Sequence, residues 1–147
     1  MRKYMMITKA ILLVTFSFCT THIAFAQEED VKWYESEKEA LEIAKEENKQ
    51  VLLLWGSNAC GECARAKKML SNDSSLRKLI NGKFILWYCD FNKSEEGDKY
   101  SLRYDFTAPP LICVIDPDEP TSKSAYITGK TFVNELRAFL RKFESNK

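Results

Sequence analysis

Cys60 and Cys63 stand three positions apart in "SNACGECARAKK", residues 57–68, and three chemistries use that spacing. The pair can open and close a disulfide in turnover, lock a static clip, or supply half of a metal site. For turnover, a thiolate at a helix N-terminus is stabilised by unpaired backbone N–H groups and the helix dipole, and a partner three residues on lies within disulfide reach. Cys60, at the exposed first position, is then the attacking nucleophile, and Cys63, one turn into the helix, the shielded resolving thiol. Arg65, Lys67 and Lys68 add positive potential, which Glu62 opposes. A tetrahedral zinc site needs two further ligands, and the remaining thiols outside the leader described below, Cys89 and Cys113, fall in the middle of apolar runs rather than in a second knuckle. A static clip closing so small a loop gains little chain entropy.

The compartment bears on that choice. Residues 1–9 carry Arg2, Lys3 and Lys9 without an acid, "AILLVTFSFCTTHIAFA" follows as an apolar core, and Ala24-Phe25-Ala26 is a small-x-small cleavage site. This is the pattern of a secretory signal peptide, residues 1–26, cleaved after Ala26. Thr15, Ser17, Thr20, Thr21 and His22 interrupt the run, which falls short of the roughly 20 apolar residues of a membrane span. A lipoprotein attachment at Cys19 is disfavoured by the bulky Phe18 before it. Residues 27–147 remain as one domain's worth of chain.

The leader holds three of the 22 basic residues and none of the 21 acidic ones, so its removal takes the net charge from +1 to −2. Such a balance points to no nucleic-acid or membrane-surface partner. The one histidine, His22, leaves with the leader. What remains has no means of Cys-His nucleophilic catalysis, His-ligated zinc or copper binding, or c-type haem attachment, for which Ala64 stands where a histidine is needed.

The elements that must position the pair follow from hydrophobic patterning. "ESEKEALEIAKEENKQ" sets Ala40, Leu41, Ile43 and Ala44 among charges, an amphipathic helix. "VLLLW", residues 51–55, is apolar without alternation, the mark of a strand buried on both faces. The cysteines come at its C-terminal end, and good helix formers after Ala64 predict a helix starting at or near Cys60. "SNDSSLRKLINGK" predicts a turn, a short helix and an Asn81-Gly82 stop; "FILWYC" a second buried strand; residues 100–104 a helical stretch. "LICVID" follows Pro109-Pro110 as a third strand, and "SAYITG" is an edge strand. From residue 131 to 143, Phe132, Val133, Leu136, Phe139, Leu140 and Phe143 share one helical face. The expected class is α/β, a central mixed sheet flanked by helices.

With these residues placed, the chain resembles the thioredoxin-like superfamily, and more closely its secreted, single-domain C-x-x-C branch. The resemblance rests on Trp33, "EALEIAKEENKQVLLLW", "CGEC", "KFILWYCDFN" and "APPLICVIDPD", and it spans nearly all of residues 27–147. It implies a thioredoxin-like fold in which a cis-proline opens the strand facing the active site. Pro110 is the candidate, with Pro109 second, and the backbone at Ala108 just before them would pair with a substrate peptide. It also implies that the Cys89 and Cys113 strands flank the 51–55 strand. Inter-strand spacings near 4.8 Å then put these thiols about 10 Å apart, too far for a disulfide.

Two departures stand out. Where many thioredoxins bury an aspartate that helps deprotonate the resolving cysteine, Val51, Leu52, Leu53 and Leu54 are all apolar. The loop "GSNA" between Trp55 and Cys60 is one residue longer than usual, with Ala59 where an aromatic residue often packs. The expected function is a thiol–disulfide oxidoreductase of the periplasm or envelope, working in the reducing or isomerising direction through mixed disulfides. It would need no cofactor and no metal. Its partners would be protein thiol or disulfide clients and a membrane or periplasmic redox partner, and it would be a monomer without stable membrane insertion. The rival reading is a non-catalytic binding module that holds a client or partner peptide at the cis-proline groove.

Overall fold

The computed structural model describes residues 31–104, 106 and 108–144. The leader with Cys19, His22 and the Ala26 cleavage site, and the acidic lead-in after it, lie outside the described residues. The elements run β1 (Trp33–Tyr34), α1 (Glu37–Glu46), β2 (Gln50–Gly56), α2 (Gly61–Asn72), α3 (Ser74–Ile80), β3 (Phe84–Asp90), α4 (Asp98–Ser101), β4 (Leu111–Ile115), β5 (Tyr126–Thr128) and α5 (Val133–Arg141). They form one mixed sheet in the order β1-β3-β2-β4-β5. β3 pairs with β1 and β2 in parallel, while β4 runs antiparallel to β2 and to β5.

The continuous apolar runs of β2, β3 and β4 are buried because helices cover both faces of the sheet. On one face Leu52, Leu54, Leu86, Tyr88, Ile112 and Val114 pack with Ala66 and Leu70 of α2, Leu76 and Ile80 of α3, and Leu136, Phe139 and Leu140 of α5. On the other, Val51, Leu53, Ile85, Trp87, Cys89, Leu111 and Cys113 pack with Ala40 and Ala44 of α1 and with Tyr100 of α4. Each aliphatic side chain fully buried in this way contributes about 1.5–3 kcal/mol. Asp73 ends α2 and begins α3, its Oδ1 accepting the Ser75 and Leu76 N–H groups at 3.0 and 3.1 Å. Gly82, at φ +80, follows the end of α3 as the Asn81-Gly82 signal requires.

The expected elements are present with three differences. β1 is a strand that no periodicity announces: its two residues are held by pairing with β3, and by Trp33, whose indole N–H donates to Ser71 Oγ at 2.9 Å. The helical stretch expected at residues 100–104 lies at 98–101. Phe132 does not join the buried face of α5. It is the N-cap residue, 49% exposed, and its N–H donates to the Glu135 carboxylate at 2.9 Å, so the side chain outside the first turn is free to face solvent. Among the described residues no helix is long and apolar enough to cross a membrane.

Candidate active site

β2 ends at Gly56, and the turn Ser57-Asn58-Ala59 lifts the chain to Cys60, the N-cap residue of α2. Cys60 keeps extended backbone angles (φ −90, ψ 111), and its N–H donates to the Ser57 carbonyl at 3.0 Å. Its sulfur accepts the Cys63 N–H at 3.2 Å, taking the place a serine or aspartate oxygen usually fills at a helix start. Cys60 and Cys63 are joined in a disulfide with Cα atoms 5.2 Å apart. Cys60 is half-buried, whereas Cys63 has no exposed surface.

Gly56 explains how Cys63 reaches that depth. A Cβ on Gly56 would stand 2.8 Å from Cys63 Sγ and 2.9 Å from Cys63 Cβ, so the resolving cysteine rests on a strand end left bare for it. The longer loop before Cys60 is not slack. Asp90, the partner of Gly56 across the β2–β3 ladder and only 8% exposed, accepts the Asn58 N–H at 3.4 Å and the Asn92 N–H at 3.1 Å. Tyr88 Oη donates to Asn58 Oδ1 at 3.1 Å, and the Asn92 side-chain amide donates to Ser57 Oγ.

The charges of α2 are distributed more specifically than the sequence indicates. Glu62 is paired with Arg65, whose Nε donates to its Oε2 at 2.8 Å, so the acid beside Cys60 has its own counter-ion. Lys67 lies over the ring of Tyr88, Nζ 4.0 Å from the centroid. Burial pulls the Lys67 ammonium below its ordinary pKa, against the opposing fields of Glu35 and Asp90.

On the other side of the β2 end, Trp55 sits between Phe91 and Phe106, with ring centroids 4.7 and 5.1 Å away, and donates to Asp98 Oδ1 at 3.1 Å. The antiparallel β2–β4 register puts Leu111 opposite Trp55, which brings Pro109-Pro110 to the same end of the sheet as the cysteines. The Pro109–Pro110 bond is cis, as the resemblance implies for Pro110. Pro110 is buried and its carbonyl accepts the Gly129 N–H at 2.9 Å, while Pro109 is half-buried and Ala108 exposed.

Cys89 and Cys113 are free and buried, on strands flanking β2, so neither joins the pair. Burial raises both thiols, Cys113 to about 12 against a smaller opposing hydrogen bond from Tyr104. Sequence reasoning missed Gly56, Asp90 and the Asn58–Tyr88 contact. The one available signal was the polar "DFN" directly after an apolar strand.

The family model described as thioredoxin-like matches residues 32–117. No curated protein matches the chain. Among solved structures, a thioredoxin from Thermus thermophilus is similar with a TM-score of 0.56 and 20% identity, over 78% of this chain and 87% of that one. A DsbH oxidoreductase is similar with a TM-score of 0.57 and 18% identity, over 77% and 86%. A disulphide isomerase from Xylella fastidiosa Temecula1 shows a TM-score of 0.53 and 24% identity, over 71% and 86%. At these identities the shared property is the fold.

Proposed function

Because the chain belongs to the thioredoxin-like family and carries a disulfide-forming pair at the start of a helix, we propose that it exchanges disulfides with protein clients. The observation that carries this reading is the asymmetry of the pair: the Cys60 sulfur lies where a helix N–H meets it, and Cys63 is shielded behind it. In the reducing direction the Cys60 thiolate attacks a client disulfide, and one client sulfur leaves as a thiolate that is then protonated. Cys63 loses its proton and attacks Cys60 Sγ, forming the Cys60–Cys63 bond, breaking the mixed disulfide and releasing the second client thiol. The client gains two electrons and the pair loses them. An electron donor in the same compartment must then return the pair to dithiol.

Ala108, Pro109 and Pro110 are proposed as the peptide-docking edge, supported by their place at the cysteine end of β4. The periplasm or cell exterior is proposed as the location, supported by the leader pattern of residues 1–26. The reducing or isomerising direction is supported by the resemblance to reductase-like domains and by the isomerase among the fold neighbours. Glu62, neutralised by Arg65, does not weigh on it.

The test is an insulin-reduction assay with the reduction potential of the pair measured alongside. Turnover that Cys60→Ser abolishes, Cys63→Ser trapping client mixed disulfides, and alkylation of Cys60 ahead of Cys63 are the expected results. A potential near −270 mV marks a reductant and one near −120 mV an oxidant. Binding of clients undiminished by replacing both cysteines, with no turnover in the wild type, would establish the binding-module reading instead.

A further inference from the structure

Cys63 has no exposed surface, so the proton it gives up on attacking the mixed disulfide must first reach a group inside the protein. β2 offers none, its residues being apolar apart from Gln50 at the far end. The titratable groups facing this region come from several elements. α2 supplies Lys67, one turn beyond Cys63; β3 supplies Tyr88 and Asp90; Lys93 follows β3 and Glu35 follows β1. Glu35, Asn58, Tyr88, Asp90, Lys93 and Ser94 line a cavity of about 210 Å³, far more than the roughly 10–15 Å³ that one water needs.

Of these groups one is suited to accept a proton beside the sulfur. Tyr88, raised to about 12 chiefly by burial, is a neutral phenol at working pH. An ammonium such as Lys67 or Lys93 has no lone pair to offer. Glu35 lies in the exposed turn before α1. Asp90 is the residue laddered to Gly56, on the β3 face that Tyr88 shares. It is held by two backbone N–H groups and retains further acceptor capacity. Gly56 is the residue on which Cys63 Sγ rests.

Resting on the reading of Cys60 and Cys63 above, we propose that Asp90 is the proton acceptor for the resolving thiol, that Lys67 is a positioning cation for the charge passing between them, and that the cavity carries the proton to solvent. As Cys63 attacks, its S–H bond breaks and the proton passes to the Asp90 carboxylate. The Cys63–Cys60 bond forms, the Cys60–client bond breaks, and the client sulfur leaves with the electron pair. Asp90 then returns its proton to water in the cavity, and the leaving thiolate is protonated from solvent. This moves to the neighbouring strand a carboxylate that β2 lacks.

The experiment uses the reduced protein and one equivalent of the chromogenic disulfide dithionitrobenzoate in a stopped-flow instrument. Attack by Cys60 releases the first thionitrobenzoate and attack by Cys63 the second, so the two steps are read separately. Asp90→Asn keeps one oxygen for the nearer Asn92 N–H, gives up the longer Asn58 contact made by the other oxygen, and is no base. It should slow the second release about 10²-fold at neutral pH, the lower range for a positioned acid–base group, and leave the first within about twofold. The deficit should close as pH rises and hydroxide removes the proton. Asp90→Glu should restore part of the rate, and Lys67→Met should move the pH midpoint of the second release upward. A second release unchanged in Asp90→Asn, or both releases slowed alike at every pH, would overturn the proposal, the latter because it reports a displaced loop. The probe needs no protein client. Failed client turnover would therefore count against the proposed function and leave this result standing, while a normal second release would count against Asp90 alone.

Discussion

Gly56→Ala places one methyl group where the structure has room for none. The added Cβ would lie 2.8 Å from Cys63 Sγ and 2.9 Å from Cys63 Cβ, against ordinary heavy-atom contacts of about 3.5–4.0 Å. Relief requires the sulfur to move by about 0.7–1.2 Å on that scale. The Cβ–Cβ clash is with an atom fixed to the α2 backbone, so the start of the helix must shift in either redox state. Overpacking of this kind costs about 1–3 kcal/mol, and the melting temperature should fall by roughly 4 °C per kcal/mol. The sulfur clash differs between states: a free Cys63 thiol can rotate away, but a sulfur bonded to Cys60 cannot. If about 1 kcal/mol of the cost falls on the oxidised form alone, the potential moves about 20 mV towards oxidising. Melting curves of both redox forms, with equilibration in glutathione buffers, measure the two effects together. Melting temperatures and a potential indistinguishable from wild type would refute the claim that Cys63 is seated on the bare end of β2. A fall in stability that is equal in both redox forms would confine the contact to the helix backbone.

Cys89→Ala and Cys113→Ala should each lower stability by about 1–2 kcal/mol, as for small buried side chains, and leave disulfide reduction nearly intact in the insulin assay. Loss of turnover at unchanged stability would make them a second redox relay. Asp73 is held below its ordinary pKa first by the Ser75 hydroxyl, then by the Leu76 N–H. Its stabilisation is therefore fully present above the unfolded value near pH 4 and lost as pH falls through the lower folded one. Asp73→Ala should melt earlier at neutral pH and lose less on acidification below about pH 4 than the wild type does, as followed by circular dichroism.

Much of the architecture is legible in the chain because it depends on local pattern. The unbroken apolar runs at residues 51–55 and 84–89 carry the mark of strands covered on both faces, while their parallel pairing is seen only in the fold. The C-x-x-C at the exit of the first run, the Pro109-Pro110 step before the third strand and the end of α3 at Asn81-Gly82 were likewise readable from residue types and their neighbours. The separation of Cys89 from Cys113 by β2 followed once the resemblance supplied the strand order. Other features required the folded chain. β1 is two residues long, too short for any periodicity, and exists through β3 and Ser71. Phe132 fits the apolar stripe of α5 by spacing but falls one position outside the helix, where the stripe no longer governs its direction. Gly56 reads as the end of a strand, and Asp90 as a polar residue after one. That they are ladder partners, with the resolving sulfur seated on one and a cavity opening beside the other, depends on the register of two strands joined through α2 and α3. Register is set by the summed burial of both faces of the sheet, a property that no single segment of the chain carries.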